Sequence, residues 1–332
     1  MNSQKAFFSI GIPTYDRLTM VREAIQSCRW QSLSDFTATV ANDFVAGPLS
    51  ADDLGIVDDP RFEIINRNKN LGPLANQNAL MQAATGSYFI WLSDDDMYMP
   101  DLLAIAKRII EEHEPECIFF DFIHGSTYPS NYTTFSGKPL LLSGAEFLEK
   151  YFDGTCPSQP WYGVWKREFI QEIGGMRQMG RANFSPYSDL WLALRAASAR
   201  KIVYVPHPLV FFRTHETARS SVSVDLVAYT SGQEELLGLS EQLLVSSGAG
   251  PATERIRSKM MLRFVADYFE VLRRSGKTWS FSVLGFVSMI RKYLPQDLEL
   301  RRKVKDSLNR ELYRFYRERM DPAVKIIRRF IR

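Results

Sequence analysis

Short apolar segments alternate with segments of helical spacing over the first 125 residues of the sequence. The apolar segments predict strands at residues 7–13, 36–43, 61–67, 87–93 and 116–123. The spacing of apolar residues between them predicts helices at residues 17–32, 71–85 and 101–112. Strand and helix in regular alternation favour a mainly parallel sheet with right-handed crossovers and helices on its faces. We therefore predict an α/β fold for this part of the chain.

Charge separates the chain into two parts. The 332 residues carry a net charge of only +3, but residues 255–332 contain 21 Lys and Arg against 8 Asp and Glu. Residues 244–254, LVSSGAGPATE, are rich in Gly, Ser and Ala and form the predicted linker. We therefore predict one domain at residues 1–243 and a basic helical region at residues 255–332.

Cysteine usage and the lack of long apolar runs argue against several classes of protein. Cys28, Cys117 and Cys156 are far apart and form no CxxC pair, so neither a zinc knuckle nor a disulfide framework is predicted. A reducing cytosol is the compartment that this pattern favours. No basic-then-apolar leader opens the sequence, and no apolar run approaches the roughly 18 residues of a membrane span, so we expect neither secretion nor a membrane-spanning helix.

Three consecutive carboxylates, Asp94, Asp95 and Asp96, follow the predicted strand at residues 87–93. Like charges this close disfavour one another's ionisation unless a cation or a set of hydrogen-bond donors compensates them. One interpretation is a solvated turn that caps the next helix, since Asp is common at helix starts. The alternative is a functional site whose ligand supplies the positive charge.

The position of the triplet in the predicted sheet favours the functional site. Ligands of open α/β sheets bind at the carboxyl ends of the strands, where residues 14–17 and 42–44 are also expected. Carboxylate oxygens gathered at that edge suit Mg²⁺ or Mn²⁺, which keep several waters and also bind phosphate oxygens. A diphosphate leaving group is therefore the expected partner of the ion.

Two common phosphate-binding motifs are missing from the sequence. No GxxxxGK[ST] loop is present and no GxGxxG follows the first predicted strand, so P-loop and dinucleotide-binding proteins lose their main support. A sugar nucleotidyltransferase would carry a glycine-rich basic loop after that strand, where this sequence has PTYDR. A nucleotidyltransferase is therefore the weaker alternative.

Six segments, in order, resemble the motifs of the inverting GT-A glycosyltransferases of family 2: SIGIPTYDR, QSLSDF, a strand that ends in AND, NLGPLANQN, GSYFIWLSDDDMYMPD and YSDLWL. The resemblance extends over roughly residues 7–220. It implies a GT-A fold, a Rossmann-like α/β sheet flanked by helices, followed in this chain by a C-terminal α-helical extension. It also implies metal-dependent, inverting transfer of one sugar from a nucleoside-diphosphate sugar.

The resemblance implies a donor-nucleotide site formed by Pro13, Thr14, Tyr15, Asp43, Asn78 and Asp94. Two alternatives stay open for parts of this site. PTYDR forms only a turn in the first, since Pro and Asp favour turns. In the second, Asn78 belongs to the polar face of a helix.

The metal ligands that the resemblance implies are Asp95 and His215, with Asp96 as an added ligand or a positioning carboxylate, and the implied cofactor is Mn²⁺ or Mg²⁺. Ser93 occupies the position of the family's first Asp, which leaves the order of roles among the three Asp residues open. His215 follows a predicted strand; neutral imidazole binds such ions, although a lone His is as often structural.

An inverting transfer needs a base that removes the proton of the acceptor hydroxyl as it attacks the anomeric carbon. The resemblance implies Asp189 of SDLWL for this role, with Ser188 in place of the family's usual Glu. Asp189 is also the only carboxylate between Glu172 and Glu216. The alternative is an acid at a helix start that complements the helix dipole.

The resemblance also implies roles for side chains around these acids. Arg213 and Arg219 flank His215 and would neutralise the departing diphosphate, or else are surface charges. Trp161 and Tyr162 lie where the family places acceptor-side residues, and an aromatic face can stack on a sugar ring.

The basic region contains a segment, residues 278–295, whose apolar core is too short to span a membrane and lies between Trp279 and the cations Arg291 and Lys292. Such a segment suits the interface of an anionic bilayer. A helical subdomain that packs on the sheet or on a second protomer is the alternative. Nucleic-acid binding is disfavoured, because residues 1–254 carry 30 acidic against 20 basic residues.

Together, the resemblance and the basic region predict an enzyme that adds one sugar to a glycan acceptor. The acceptor is expected to be lipid-linked, as in bacterial polysaccharide, O-antigen or LPS assembly. The expected location is the cytosolic face of the inner membrane, in peripheral contact with anionic lipid. The alternative from a different class is a non-catalytic protein that binds a nucleotide sugar or a glycan on the same fold.

Overall fold

The computed structural model describes residues 6–181, 186–216, 225–275 and 281–319 of the chain. Arg219 and Trp279, which have predicted roles, lie outside the described residues. The chain divides into two compact units, the first formed by residues 1–178 and 188–221 and the second by residues 179–187 and 222–332. The division lies ahead of the predicted linker at 244–254, which covers the end of one long helix and the start of the next.

Within the described residues of the first unit, nine strands form one sheet. They are β1 Phe8–Thr14, β2 Phe36–Asn42, β3 Phe62–Asn66, β4 Tyr88–Trp91, β5 Met97–Tyr98, β6 Cys117–Gly125, β7 Leu140–Leu142, β8 Val164–Lys166 and β9 Ile202–Arg213. Eight of them follow the spatial order β3-β2-β1-β4-β8-β6-β9-β5, and β7 pairs with β9. The five strands predicted from the sequence correspond to β1, β2, β3, β4 and β6.

The sheet is parallel in its first part and mixed in its second. β1 runs parallel to β2 and β4, and β2 runs parallel to β3. β8 is antiparallel to both of its neighbours, β4 and β6, whereas β6 and β9 are parallel. The parallel part therefore presents the carboxyl ends of β1, β2 and β4 at one edge, as predicted.

Seven helices belong to the described residues of the first unit. They are α1 Leu18–Arg29, α2 Ala51–Leu54, α3 Pro73–Ala83, α4 Leu102–His113, α5 Gly144–Asp153, α6 Arg167–Glu172 and α7 Ser188–Ala196. α1 forms because Val21, Ile25 and Cys28 recur at helical spacing, and all three side chains are buried. The alternation of strand and helix confirms the predicted α/β fold.

The core of the sheet explains why β1 is central. Phe8, Ile10 and Ile12 lie on one face of β1 and are almost completely buried. Each such side chain contributes roughly 1.5–3 kcal/mol to folding by leaving water. A strand with this burial has neighbours on both sides, and β1 accordingly lies between β2 and β4.

The described residues of the second unit form long helices. They are α8 Leu226–Ser246, α9 Thr253–Arg274, α10 Phe281–Lys292 and α11 Leu298–Arg319. The apolar residues Val283, Phe286 and Ile290 of α10 are buried, and the Phe286 ring stacks on Tyr268 of α9 with ring centroids 3.9 Å apart. α10 therefore buries these apolar side chains within the second unit, whereas its Leu284 is 53% exposed.

Hydropathy of the helices bears on membrane insertion. Among the residues that the structure describes, every helix is too short or too polar to cross a bilayer.

Candidate active site

The loop after β1 and the acidic triplet after β4 meet at the carboxyl edge of the sheet. Asp94 is buried, with 6% of its surface exposed. Its Oδ2 accepts hydrogen bonds from Thr14 Oγ1 at 2.7 Å and from the Tyr15 amide at 3.3 Å. Its Oδ1 accepts a hydrogen bond from Arg17 Nη1 at 3.1 Å. The predicted meeting of the two loops is therefore present in the structure.

Asp95 links the β1 loop to the end of β9. Its Oδ2 accepts a hydrogen bond from Arg17 Nη1 at 2.6 Å and lies 3.1 Å from His215 Nε2. His215 follows β9, which ends at Arg213. Two of the three predicted metal ligands, Asp95 and His215, are therefore in contact.

Asp96 is enclosed by protein donors. The Tyr162 hydroxyl donates a hydrogen bond to its Oδ2, and the Arg213 amide donates to its Oδ1 at 2.7 Å. Burial, together with the charge of Asp95, raises the pKa of Asp96 to about 7. Burial also raises the pKa of Tyr162 well above its usual value, so the phenol keeps the proton that it donates. Protein donors thus hold both oxygens of Asp96, and its role as a metal ligand stays a prediction.

Burial and neighbouring charge oppose each other at Asp94 and Arg17. Burial, followed by the charge of Asp95, raises the pKa of Asp94, although the hydrogen bond from Thr14 and the charge of Arg17 act to lower it. Partial burial acts to lower the pKa of Arg17, but Asp94 and Asp95 raise it on balance. The guanidinium therefore stays charged and is the cation that compensates two adjacent carboxylates.

Arg17 is the residue that the sequence analysis missed. It lies within the predicted loop, but no role was inferred for it. Asp16, just before it, has a φ of 52°, in the left-handed region that short polar side chains tolerate. A cation at the edge where three carboxylates are expected is the signal that could have identified it.

The predicted donor-nucleotide residues Tyr15 and Asp43 follow β1 and β2 directly. Asp43 is buried, and its oxygens accept hydrogen bonds from the amides of Leu71 and Gly72, each at 2.8 Å. These contacts satisfy backbone donors just before α3. Tyr15 is half exposed, and its ring meets Phe44 edge-on at 5.2 Å between centroids. The exposed ring offers a surface for a nucleobase.

Two further residues of the predicted donor site, Pro13 and Asn78, contact other parts of the chain. Pro13 lies within β1 and pairs with Ala41 of β2. Asn78 Nδ2 donates to the Met176 carbonyl at 2.7 Å, and Asn78 Oδ1 accepts from the Met176 amide at 2.9 Å. The amide of Asn78 is thus engaged by backbone, as in the helix-face alternative, and its role toward the donor stays a prediction.

The predicted acceptor-side aromatics lie in a 3-10 turn, Pro160–Tyr162. Trp161 stacks on the fully buried Trp91, with centroids 5.6 Å apart and an interplanar angle of 26°. The buried Nε1 of Trp161 has no hydrogen-bond partner among the described residues. Tyr162 is buried, and its hydroxyl donates a hydrogen bond to Asp96. Trp161 therefore keeps a predicted acceptor role, while Tyr162 is positioned to hold Asp96.

Asp189 lies in the first turn of α7 and is partly buried. α7 packs against the turn that carries Tyr162, the partner of Asp96. The helix is fixed by the buried Leu190 and by Trp191, whose Nε1 donates to the Gly175 carbonyl at 3.1 Å. This packing places the candidate base on a helix that contacts the turn whose Tyr162 binds Asp96.

Arg213 is bound to α1 rather than presented as a free cation. Its guanidinium forms an ion pair with Glu23 and approaches Met97 Sδ at 3.5 Å. A role for this side chain on a diphosphate stays a prediction, and it requires the pair with Glu23 to open. Arg219, the second predicted cation, lies outside the described residues.

The contacts of Asp95 allow a test of how well the residues fit a divalent ion. Ligands at right angles, with bonds of about 2.1 Å, lie about 3.0 Å apart in an octahedral Mg²⁺ shell. The 3.1 Å between Asp95 Oδ2 and His215 Nε2 is a hydrogen-bond distance that is also close to this separation. Among the described residues, no group of three or more His, Cys, Asp or Glu is arranged to hold a metal. The pair fits an ion that takes its remaining ligands from water and phosphate.

Comparisons with known proteins bear on this site. Residues 9–167 match the model of glycosyl transferase family 2. The uncharacterized glycosyltransferase YwdF of Bacillus subtilis is 27% identical over 243 residues, which cover 70% of this chain and 85% of that protein. The GalNAc(5)-diNAcBac-PP-undecaprenol β-1,3-glucosyltransferase of Campylobacter jejuni is 30% identical over 197 residues, which cover 56% of this chain and 59% of that protein.

Solved structures show the same fold at low sequence identity. The structure of S. aureus TarS 1–349 with UDP-GlcNAc has a TM-score of 0.56 and 13% identity, and the match covers 91% of each chain. The mannosyltransferase PcManGT of Pyrobaculum calidifontis, in complex with GDP-Man and Mn²⁺, has a TM-score of 0.50 and 11% identity. That match covers 96% of this chain and 89% of PcManGT.

Proposed function

Residues 9–167 of this chain are a family 2 glycosyl transferase domain of the GT-A fold, and from this premise we propose a metal-dependent, inverting transfer of one sugar from a nucleoside-diphosphate sugar to a glycan acceptor. The observation that carries the proposal is the contact of Asp95 with His215 beside the buried Asp94. The match to PcManGT, a protein in complex with GDP-Man and Mn²⁺, supports the choice of a nucleotide sugar and a divalent ion.

The donor is proposed to bind along the ends of β1, β2 and β4. Tyr15 would stack on the nucleobase, since half of its surface is exposed. Asp94, held rigid by Thr14 and the Tyr15 amide, would accept hydrogen bonds from the ribose. Asp95 and His215 would hold Mn²⁺ or Mg²⁺, which when bound stabilises the charge that develops on the diphosphate leaving group.

Asp189 is proposed to act as the general base. As the acceptor hydroxyl oxygen bonds to the anomeric carbon, its proton passes to the Asp189 carboxylate, and the bond from that carbon to the diphosphate oxygen breaks. Attack from the face opposite the diphosphate inverts the configuration of the carbon. The support is the position of α7 beside the turn that holds Asp96 through Tyr162.

A thermal-shift experiment tests the donor site. UDP, GDP, dTDP and CDP are added singly to the full chain, with and without Mn²⁺. We expect at least one nucleotide to raise the melting temperature, and to do so more with Mn²⁺, because a ligand at 100 times its Kd adds about 2.7 kcal/mol to the free energy of unfolding. Nucleoside monophosphates serve as controls, since they lack the second phosphate. If no diphosphate stabilises the protein at any Mn²⁺ concentration, the donor proposal is wrong.

The acceptor is proposed to be lipid-linked, in the assembly of a bacterial surface polysaccharide such as O-antigen or LPS. The Campylobacter relative, whose name specifies an undecaprenol diphosphate glycan, supports this class of acceptor. The second unit adds exposed cations, including Arg291, Arg302 and Lys305. Because each cation near an anionic surface adds to lipid attraction, we propose peripheral contact with the cytosolic face of the membrane.

Vesicle flotation tests the membrane contact. Arg291 and Lys305 line the same cavity of the second unit, so both can be reversed on one surface. We expect the double variant Arg291→Glu, Lys305→Glu to lose most of its flotation with phosphatidylglycerol vesicles at low salt, because the attraction is electrostatic. The matched control reverses two exposed cations of the first unit, Arg108 and Lys138. Equal flotation of both variants and the parent would count against this contact surface.

A further inference from the structure

One guanidinium nitrogen of Arg17 forms ion pairs with two carboxylates. Its Nη1 lies 3.1 Å from Asp94 Oδ1 and 2.6 Å from Asp95 Oδ2. The side chains of Asp94 and Asp95 are only 9% and 18% exposed, so water screens them poorly. The positive charge of Arg17 therefore compensates both acids in the structure described here.

A divalent ion at Asp95 would compete with this arrangement. Asp95 Oδ2 already has Arg17 Nη1 and His215 Nε2 within hydrogen-bond distance. A guanidinium has no acceptor and does not lose its proton, whereas neutral imidazole offers a lone pair to a metal. Two cations on one carboxylate oxygen repel each other, so an ion at Asp95 would favour the release of Arg17, whereas neutral His215 could stay as a ligand.

The donor offers Arg17 a new partner. A diphosphate on the ion carries oxygens that a planar guanidinium binds through two parallel hydrogen bonds. Arg17 lies in the loop between β1 and α1, and its side chain is 29% exposed, so it can turn outward without opening the core. Arg213 is less suited to this role, because Glu23 and Met97 already hold its guanidinium.

We propose that Arg17 is a displaceable counter-cation, which holds Asp94 and Asp95 in the ligand-free enzyme and moves to the donor diphosphate when the metal ion binds at Asp95 and His215. This inference rests on the proposed function. It makes the affinities for ion and nucleotide depend on each other, since each ligand favours the same position of Arg17. Such coupling is reciprocal: the nucleotide strengthens ion binding by the factor by which the ion strengthens nucleotide binding.

Mn²⁺ binding to the full chain tests the exchange without any measurement of activity. Free Mn²⁺ is counted by electron paramagnetic resonance during a titration, first without nucleotide. We expect Arg17→Gln to bind Mn²⁺ about tenfold or more tightly than the parent, because the competing charge is gone. With UDP, GDP, dTDP or CDP present, the affinity of the parent should rise by a larger factor than that of the variant.

Two further variants make the test specific. Arg22→Gln removes a nearby cation in α1, where Arg22 is exposed and donates a hydrogen bond to the Asp53 carbonyl. This variant should bind Mn²⁺ like the parent. Arg17→Lys keeps the charge without the planar fork, so its nucleotide-free Mn²⁺ affinity should stay near that of the parent. Its nucleotide coupling should fall several-fold, and this variant carries the test if Arg17→Gln does not fold.

The outcomes separate this inference from the proposed function. Mn²⁺ affinity that is unchanged or lower in Arg17→Gln, in a parent protein that binds Mn²⁺ with nucleotide, overturns the exchange alone and leaves Arg17 as a structural ion pair. Arg17→Lys coupling equal to that of the parent has the same meaning. A parent protein that binds no Mn²⁺ with any of the four nucleotides overturns both proposals.

Discussion

We expect Asp95→Asn to lower kcat/KM for sugar transfer by about 10³-fold, which corresponds to roughly 4 kcal/mol of lost transition-state stabilisation. Asp95 is the carboxylate in contact with His215, and an amide in its place carries no charge to hold a divalent ion. The diphosphate would then leave without the ion that neutralises it. Transfer from a labelled nucleotide sugar, measured across a Mn²⁺ titration, gives the loss and shows whether excess metal restores activity.

Asp101→Asn is the matched control for this experiment. Asp101 lies between β5 and α4, outside the acidic triplet, and it accepts a hydrogen bond from Thr134 Oγ1 at 2.6 Å. The control variant should keep activity close to that of the parent. Near-parental transfer by Asp95→Asn, at low as well as high Mn²⁺, would remove Asp95 from the metal site.

Asp189→Asn is expected to lower kcat by about 10²–10⁴-fold, the usual contribution of a general base. An amide cannot take up the proton of the acceptor hydroxyl, whereas the donor site at the ends of β1, β2 and β4 is unchanged. The variant should therefore still gain melting temperature from nucleotide and Mn²⁺. Single-turnover transfer together with the thermal shift separates loss of chemistry from loss of donor binding.

Glu168→Gln tests whether the effect at Asp189 comes only from the helix dipole. Glu168 is an acid in the first turn of α6, as Asp189 is in α7, and its side chain is 74% exposed. A dipole contribution of about 0.3–1 kcal/mol is expected at either position, with no effect of Glu168 on kcat. If Asp189→Asn changes only stability, as Glu168→Gln should, then another group is the base.

Much of the first unit could be predicted from the sequence because its elements have local signals. β1 and β4 are apolar runs bounded by polar or breaking residues, and α1 repeats its apolar residues at helical spacing. The antiparallel strand β8 was not predicted. Only three residues long, it shows no periodicity, and its place between β4 and β6 depends on contacts distant in sequence.

In the candidate site, likewise, some contacts could be predicted from the sequence and others could not. The meeting of Thr14 with Asp94 follows from the rule that the ends of parallel strands share an edge. The bonds of Arg17 to Asp95 and of Tyr162 to Asp96 join residues that are 78 and 66 positions apart. No local pattern marks such pairs. These pairs form because the fold brings side chains of complementary shape and charge together.

The composition of the basic region does not distinguish contact with lipid from packing within the protein. The apolar residues of α10 suit a lipid surface as well as a protein core, and the burial of Val283, Phe286 and Ile290 in the folded chain distinguishes the two for these residues. The charges are equally ambiguous in the sequence. Some form ion pairs, such as Lys303 with Glu299, and so do not all attract lipid.

The hydrogen bonds of Asp43 affect any redesign of the proposed nucleotide site. Its two oxygens tie the start of α3 to the end of β2, so a substitution meant to alter base recognition also frees two backbone amides. Changes in selectivity at this position will be confounded with local unfolding. Directed evolution toward a new donor has more freedom at Tyr15 and Phe44, whose rings meet near the surface without supporting the helix.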